Sequence, residues 1–465
     1  MRSYTSLVRH EGNKELFLFT ELSVIGLAAG MPIHLHVEGL RGTGKTTILR
    51  SACSILPRSI RIKGCQFNCD PVNPHCPQHR FLNQEQIAAL GVESVSIPYL
   101  EISHSAKIGT VVGTLDLKRL TNINQPEAAL LPGTLPQAHR GIVLVDEINR
   151  LADTAPELTD ILLDAMGTKP GRVQIEENGL STVSLPLQVS VWATSNPDED
   201  PGSLADIRRQ LSDRFDFMIQ MGRPKEVGPL LEILSPTWES PQKSEADRRL
   251  SEQLMEQAKL VGQIKIPAVI LESLAEIYLK HHFESLRALE AVKTGAVLAA
   301  AHRGAYEVTW DDVLMVVPAA LRHRLTPEQL VAVLQDLQCE QELMESPAWA
   351  AGSGLVPMPA DRTSASLVSM NTRQKKVSNR WWSKIVAWWN KLVGRQRDNG
   401  QQGAAKTGAP GMGNKPIATR RSSSSGKMSP LDMPLVTPPT VAQPLLELDV
   451  VDAVTLGEAN DGSKK

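Results

Sequence analysis

Along the first 222 residues two rhythms of apolar and polar positions alternate. Short β-like runs at 34–38, 142–145 and 189–194 are separated by stretches whose apolar residues recur every three or four positions. Strands spaced by helices predict a parallel α/β architecture. From about 224 to 325 only the helical rhythm remains. Leu254, Ala258, Leu260 and Val261 share one helical face, as do Leu286, Leu289 and 292–297. Gly304 is placed to close the second of these helices. Thr309, in Val308-Thr-Trp-Asp-Asp312, is placed to cap the next. After about 346 the rhythm is lost to Pro, Gly, Ser and Asn, and 346–370 and 398–465 are expected to be disordered, because such segments bury too little apolar surface to offset their ordering entropy. The pattern divides the chain into an α/β domain at 1–222, an all-helical domain at 223–330 and a mostly disordered tail at 331–465.

One segment of the tail keeps a helical pattern. Between 373 and 397 there are eight Lys and Arg before the first acid, and on a helix Trp381, Trp382, Ile385, Trp388, Trp389 and Leu392 fall on one face, opposite Arg380, Lys384 and Lys391. A basic amphipathic helix with Trp on its apolar face suits a membrane surface, a groove on an acidic partner, or docking on its own domains.

Composition narrows the function classes. The 465 residues allow two to four domains, and 42% hydrophobic content is enough for a sizeable core. Lys and Arg number 49 against 51 Asp and Glu, so nucleic acid is not an expected partner. No apolar run reaches the ~18 residues of a membrane span. Glu11, Glu15 and Glu21 interrupt what would be a signal peptide, which points to the cytoplasm, with the Trp-rich helix as a candidate peripheral membrane contact.

Three motifs carry phosphate chemistry. Gly39-Leu40-Arg41-Gly42-Thr43-Gly44-Lys45-Thr46 fits G-x-x-x-x-G-K-[ST] and stands between a strand-like run and a helical one that opens with Thr47. Its glycines let backbone N–H groups face phosphates, the helix start adds positive potential, Lys45 is placed for the β- and γ-phosphates of ATP, and Thr46 for Mg²⁺. About 100 residues on, Gly141-Ile-Val-Leu-Val-Asp146-Glu147 reads as a buried strand delivering two acids at its carboxyl end. Asp146 is the candidate for the Mg²⁺ shell and Glu147 for the general base that polarises water. Val191-Trp-Ala-Thr-Ser-Asn196 ends a further strand, with Asn196 suited to orienting that water. Arg214, at the end of Ile207-Arg-Arg-Gln-Leu-Ser-Asp-Arg-Phe215, is the candidate cation supplied to a neighbouring subunit's phosphates, since a guanidinium is always charged and forks onto oxygens. Arg287 opens a helix from which it can reach the nucleotide from the lid side.

Together these motifs resemble those of AAA+ ATPases, and more narrowly the I subunit of magnesium chelatase. The likeness spans about 5–327. It is carried by Arg41-Gly-Thr-Gly-Lys-Thr46, Val112-Gly-Thr-Leu-Asp-Leu117, Gly141-Ile-Val-Leu-Val-Asp-Glu-Ile-Asn149 with Leu162-Leu-Asp164, a hairpin at 172–187 turning at Asn178-Gly179, Ser195-Asn-Pro197, Leu211-Ser-Asp-Arg-Phe215, Leu286-Arg287, and Leu321-Arg-His-Arg-Leu325 as a closing helix. Val8-Arg9-His10 departs from the family's usual Val-Gly-Gln. The resemblance implies a P-loop AAA+ core with a helical lid, and ATP and Mg²⁺ as cofactors. It also implies a homo-oligomeric ring, six by family habit, and the roles above for Asp146, Glu147, Asn196, Arg214 and Arg287. The partners it implies are an AAA+ subunit with an integrin-type domain and a porphyrin-binding subunit, the whole driving Mg²⁺ into protoporphyrin IX. Two other functions fit the same motifs: an AAA+ remodelling chaperone acting on another metalloprotein or a von Willebrand-type partner, and a nucleotide-gated scaffold tethered to a membrane.

Five cysteines form no even disulfide framework. Cys65, Cys69, Cys76 and His79 give C-x3-C-x6-C-x2-H, compatible with a tetrahedral Zn²⁺ site or with reduced thiols in a loop; an iron–sulfur cluster would prefer four thiolates. Cys53 and Cys339 read as buried small apolar residues.

Overall fold

The computed structural model describes residues 3–115, 130–167, 170–176, 182–198, 201–235 and 245–344. The Trp-rich segment, the expected disordered stretches and the Asn178-Gly179 turn lie outside these residues. Five strands form the central sheet: β1 (Leu35–Gly39), β2 (Tyr99–Ile102), β3 (Gly141–Val145), β4 (Val189–Ser195) and β5 (Phe217–Met221). Their order is β5-β1-β4-β3-β2, and each neighbouring pair is parallel. Every residue of β3 and β4 is buried, as expected of strands covered on both faces. The placement of β4 between β1 and β3 matters most for function. It brings the carboxyl ends of three strands together, with Glu38 opposite Ser195 and Val145 opposite Ala193.

Helix α1 (Lys14–Ala28) carries apolar residues around its whole circumference. Such a helix must be covered on all sides, and α1 packs on the sheet and on two of the helices that follow it. Three short antiparallel pairs stand apart from the main sheet: Arg58–Ile62 with Val92–Ser96, Gly113–Leu115 with Leu130–Pro132, and Gly171–Ile175 with Val183–Leu187. The last is the hairpin expected at 172–187, its alternating buried and exposed residues presenting Val173, Ile175, Val183 and Leu185 inward.

Four helices in the core bear on the site: α2 (Lys45–Ser51), α3 (Ile148–Thr154), α4 (Leu204–Ile207) and α5 (Arg209–Arg214). The helical domain comprises α6 (Glu245–Leu260), α7 (Ala268–Lys280), α8 (Leu286–His302), α9 (Trp310–Leu321) and α10 (Pro327–Met344). Thr309 caps α9 in a capping box with Asp312. This domain meets the sheet where a Cβ on Gly295 would lie 2.3 Å from Val316 Cγ1 and 2.7 Å from Phe217 Cζ, so glycine permits the close approach of α8, α9 and β5.

Three expectations change. The boundary at 330 falls inside α10, because Leu330, Val333, Leu334 and Leu337 continue a buried face at helical spacing against α7 and α9. Of Leu321-Arg-His-Arg-Leu325, Leu321 ends α9 and 322–325 form the turn after it, so the stretch is not a closing helix. Cys53 and Cys339 are exposed, each on an outward face of its helix. No helix among the described residues is long and apolar enough to cross a membrane.

Candidate active site

The loop 39–46 leaves the carboxyl end of β1 and enters α2. Gly42 and Gly44 hold φ of +75° and +90°, a region other L residues enter only under strain, and a Cβ on Gly42 would meet nothing within 4 Å. The loop is thus an open cradle. Leu40, Arg41, Gly42 and Thr47 lie exposed around it, while Thr43 Oγ1 closes the turn on the Leu40 carbonyl at 2.8 Å. Lys45 is buried, and its ammonium donates to the carbonyls of Gly39 and Leu40 and, at 2.6 Å, to Asn196 Oδ1. A cation anchored by three neutral oxygens can exchange them for charged phosphate oxygens, which bind it more strongly.

The second part of the site is built at the ends of β3 and β4. Thr46 Oγ1 donates to Asp146 Oδ1 at 3.0 Å, and Thr194 Oγ1 donates to the same oxygen. Arg50, one turn beyond Thr46, stands 3.6 Å from Asp146 Oδ2 and forks onto Glu101 at the end of β2 with two 2.9 Å bonds. A threonine hydroxyl beside a carboxylate is the hard-oxygen donor set Mg²⁺ takes, so these residues fit that ion. Glu147 adopts φ +53° as it enters α3, and such left-handed conformations of residues other than glycine concentrate at functional sites. Its backbone N–H donates to Thr194 Oγ1 at 3.3 Å, and its carboxylate meets Arg150 at 3.1 Å. Asn149 Nδ2 holds the backbone after β4 through the carbonyls of Asn196 (3.4 Å) and Gly202 (3.1 Å).

The structure therefore sets two contacts side by side at this edge, Lys45 with Asn196 and Thr46 with Asp146 and Thr194, and Glu147 joins the second through Thr194. Arg214 and Arg287 belong to a separate group centred on Asp213. Arg287 Nε lies 4.0 Å from Asp213 Oδ2, Ser285 Oγ donates to that oxygen at 3.4 Å, and Arg214 feels the charges of Arg287 and Asp213. Arg324, only 7% exposed, donates to Asp213 Oδ1 at 3.0 Å and to the carbonyls of Asp213 and Phe215 at 2.8 Å. Asp213 thus ties the helical domain to the helix that bears Arg214. Sequence reasoning gave Asp213 no role of its own, and also passed over Thr194, Arg50, Glu101 and Arg324. A polar residue ending a strand was the available signal for Thr194; the others depend on long-range pairings.

Glu38, the last β1 residue before the loop, is 6% exposed. Burial, outweighing the attraction of Arg322, pushes its carboxyl up from 4.5 to about 7. The unfolded chain then releases this proton near pH 4.5 while the folded chain holds it to about 7, so stability falls as pH rises through that window, by about 3 kcal/mol. Glu38→Gln is expected to raise the melting temperature of the nucleotide-free protein at pH 8 and to leave it nearly unchanged at pH 4. An equal gain at both pH values would place the effect elsewhere.

A parallel sheet with a phosphate loop after β1, paired acids after β3, an asparagine after the intervening β4, and a helical lid against the sheet define an AAA+ ATPase-class protein. The AAA lid domain model matches 271–340, which also carries the lid past the expected boundary. The Magnesium-chelatase 38 kDa subunit of Acidiphilium rubrum is 32% identical over 315 residues, covering 66% of this chain and 87% of the relative. The chloroplastic Magnesium-chelatase subunit ChlI of Chlamydomonas reinhardtii is 29% identical, with coverages of 71% and 77%. The Magnesium-chelatase subunit ChlI homolog of Methanocaldococcus jannaschii is 28% identical, with 62% and 77%. The chain belongs to the magnesium-chelatase I subunit family.

Proposed function

We propose that this chain is the ATP-hydrolysing motor of a chelatase that inserts Mg²⁺ into protoporphyrin IX, acting with an integrin-domain AAA+ subunit and a porphyrin-binding subunit. The observation that carries the reading is the pair of contacts at the sheet's carboxyl edge, Lys45 with Asn196 and Thr46 with Asp146. The names of the relatives supply the metal and the complex.

ATP binds in the cradle of 39–47, between the core and the lid. Lys45 exchanges its carbonyl partners for the β- and γ-phosphates. Thr46 and Asp146 are the residues that would hold Mg²⁺, and the chemistry it would supply there is neutralisation of phosphate charge. Glu147 releases Arg150 and takes a hydrogen bond from the attacking water, while Asn196 orients that water. Arg214 reaches the γ-phosphate of the next subunit in a homo-oligomeric ring, and Arg287 approaches from the lid of the same chain. Because Asp213 links Arg214's helix to Arg287 and Arg324, a change at the nucleotide shifts lid and core together.

The test is reconstitution. The purified chain, with an integrin-domain subunit and a porphyrin-binding subunit of a chelatase, is expected to convert protoporphyrin IX to its Mg²⁺ complex, followed by fluorescence, only with ATP. ATP hydrolysis without metal insertion, using partners active with their own motor, would overturn the chelatase reading.

A further inference from the structure

Between the strand Arg58–Ile62 and the helix Gln84–Leu90 the chain runs 21 residues, 63–83, without a helix or strand. Irregular segments of that length inside a compact domain need some other source of order. This one is nonetheless buried at its cysteines: Cys65, Cys69 and Cys76 are at most 1% exposed and His79 is 9% exposed. Their side chains converge. One donor atom from each of the four residues lies within 4.8 Å of all the others. Cys65 Sγ is 4.0 Å from Cys76 Sγ, and Cys76 Sγ is 3.1 Å from His79 Nδ1. Metal–ligand lengths of about 2.3 Å for sulfur and about 2.0 Å for nitrogen set tetrahedron edges of roughly 3.5–3.8 Å. The four atoms already stand near that spacing.

The surroundings favour bound thiolates. The backbone N–H groups of His75 and Cys76 donate to Cys69 Sγ at 3.4 and 3.3 Å, and hydrogen bonds to a thiolate stabilise its charge. Backbone turns bring the ligands inward: Cys65 N–H to the Ile62 carbonyl at 3.1 Å, Ile62 N–H to the Cys69 carbonyl at 3.2 Å, His79 N–H to the Cys76 carbonyl at 3.1 Å. From outside, Arg140 clasps the loop through Asp70 at 2.9 Å and the Asn68 carbonyl at 3.3 Å, and Asn68 reaches the His139 carbonyl at 2.6 Å. The ligand set is thus held by contacts to the core as well as by its own sequence.

We propose that Cys65, Cys69, Cys76 and His79 bind a structural Zn²⁺. Three thiolates and one imidazole complete a closed tetrahedral set with no open position, which is structural and not catalytic chemistry. Binding releases the thiol protons to solvent and involves no redox change. The same cysteines pack with Phe67, Ile87, Val112 and Leu130 and with the inward residues of the hairpin Gly171–Ile175 and Val183–Leu187. The metal therefore fixes the floor on which that hairpin stands. The assignment is independent of the ATPase reading.

The test uses the full chain purified under reducing conditions without chelator. Metal analysis is expected to find one zinc per chain, retained on dialysis against EDTA and released when a mercurial titrates the thiols. Cys76→Ser should lose the zinc, and His79→Cys should keep it as a four-thiolate site. A readout that needs no variant is growth with Co²⁺, which should give the intense visible bands of tetrahedral cobalt–thiolate coordination. Well-folded protein with negligible zinc and no such cobalt spectrum would overturn the site. A Cys65–Cys76 disulfide mapped by mass spectrometry in protein prepared without reductant and lacking zinc would overturn it as well.

Discussion

Glu147→Gln is expected to lower the rate of ATP hydrolysis by about 10²–10⁴-fold while leaving nucleotide affinity within a few fold of the wild type. The range is that of a positioned general base removed from a reaction whose other elements stay in place. Glutamine preserves the size of the side chain, and the local backbone is set by features the substitution does not touch. The Glu147 N–H still reaches Thr194 Oγ1, and the Arg150 and Leu151 N–H groups still bond the Glu147 carbonyl. What is lost is the carboxylate that meets Arg150 at 3.1 Å in the nucleotide-free chain. Affinity should be retained because Lys45 and Thr46, the residues proposed to face the phosphates, have other partners. Steady-state phosphate release and binding of a fluorescent nucleotide separate the two effects. A variant that hydrolyses at the full rate removes Glu147 from the chemistry.

The parts of the site readable from the chain were those in which identity and spacing are both dictated by local geometry. Gly42 and Gly44 stand where the loop needs positive φ, and the motif is visible for that reason. Asp146 was legible because an apolar run that ends in acids is how a buried parallel strand delivers charge to its edge. The Thr309 cap followed from an equally local rule, whereas the strands of the hairpin at 172–187 were expected from the family resemblance. What escaped was non-local. Nothing near residue 189 says that its strand will pair with β1 on one side and β3 on the other, yet that pairing puts Thr194 on Asp146 and Asn196 on Lys45. Asp213 and Arg324 are separated by 111 residues, and a lone Asp-Arg pair in sequence is an ordinary surface feature. The cysteine spacing was visible, but its convergence depends on Arg140 and His139, about 70 residues away. Exposure of Cys53 and Cys339 was missed because small thiols are usually buried, and composition does not reveal which face of a helix turns outward.

Arg214→Ala should abolish hydrolysis in homogeneous protein, by about 10³–10⁵-fold if it acts as other trans-supplied arginines do. Mixing it with a differently disabled chain should restore part of the rate. The argument starts from where the arginine sits. Its charged neighbours are Arg287, Asp213 and Asp164, whereas Lys45 meets Asn196 and Asp146 meets Thr46. Two guanidiniums share one region, and Asp213, the acid between them, is already engaged by Arg324. That leaves positive charge which an incoming phosphate from an adjacent copy would neutralise. Lys45→Ala removes the phosphate anchor of a subunit's own site but keeps its Arg214. Arg214→Ala keeps the anchor but offers nothing to the neighbour. In a mixed ring, an interface that pairs an intact Lys45 site with an intact Arg214 contains every part, so activity should appear at about a quarter of the interfaces for an equal, random mixture, since each half is present with even odds. If Arg214 served its own chain's nucleotide, no interface in the mixture would be complete and the rate would stay at the level of the separate variants. Native mass spectrometry confirming that the variants co-assemble makes either outcome decisive.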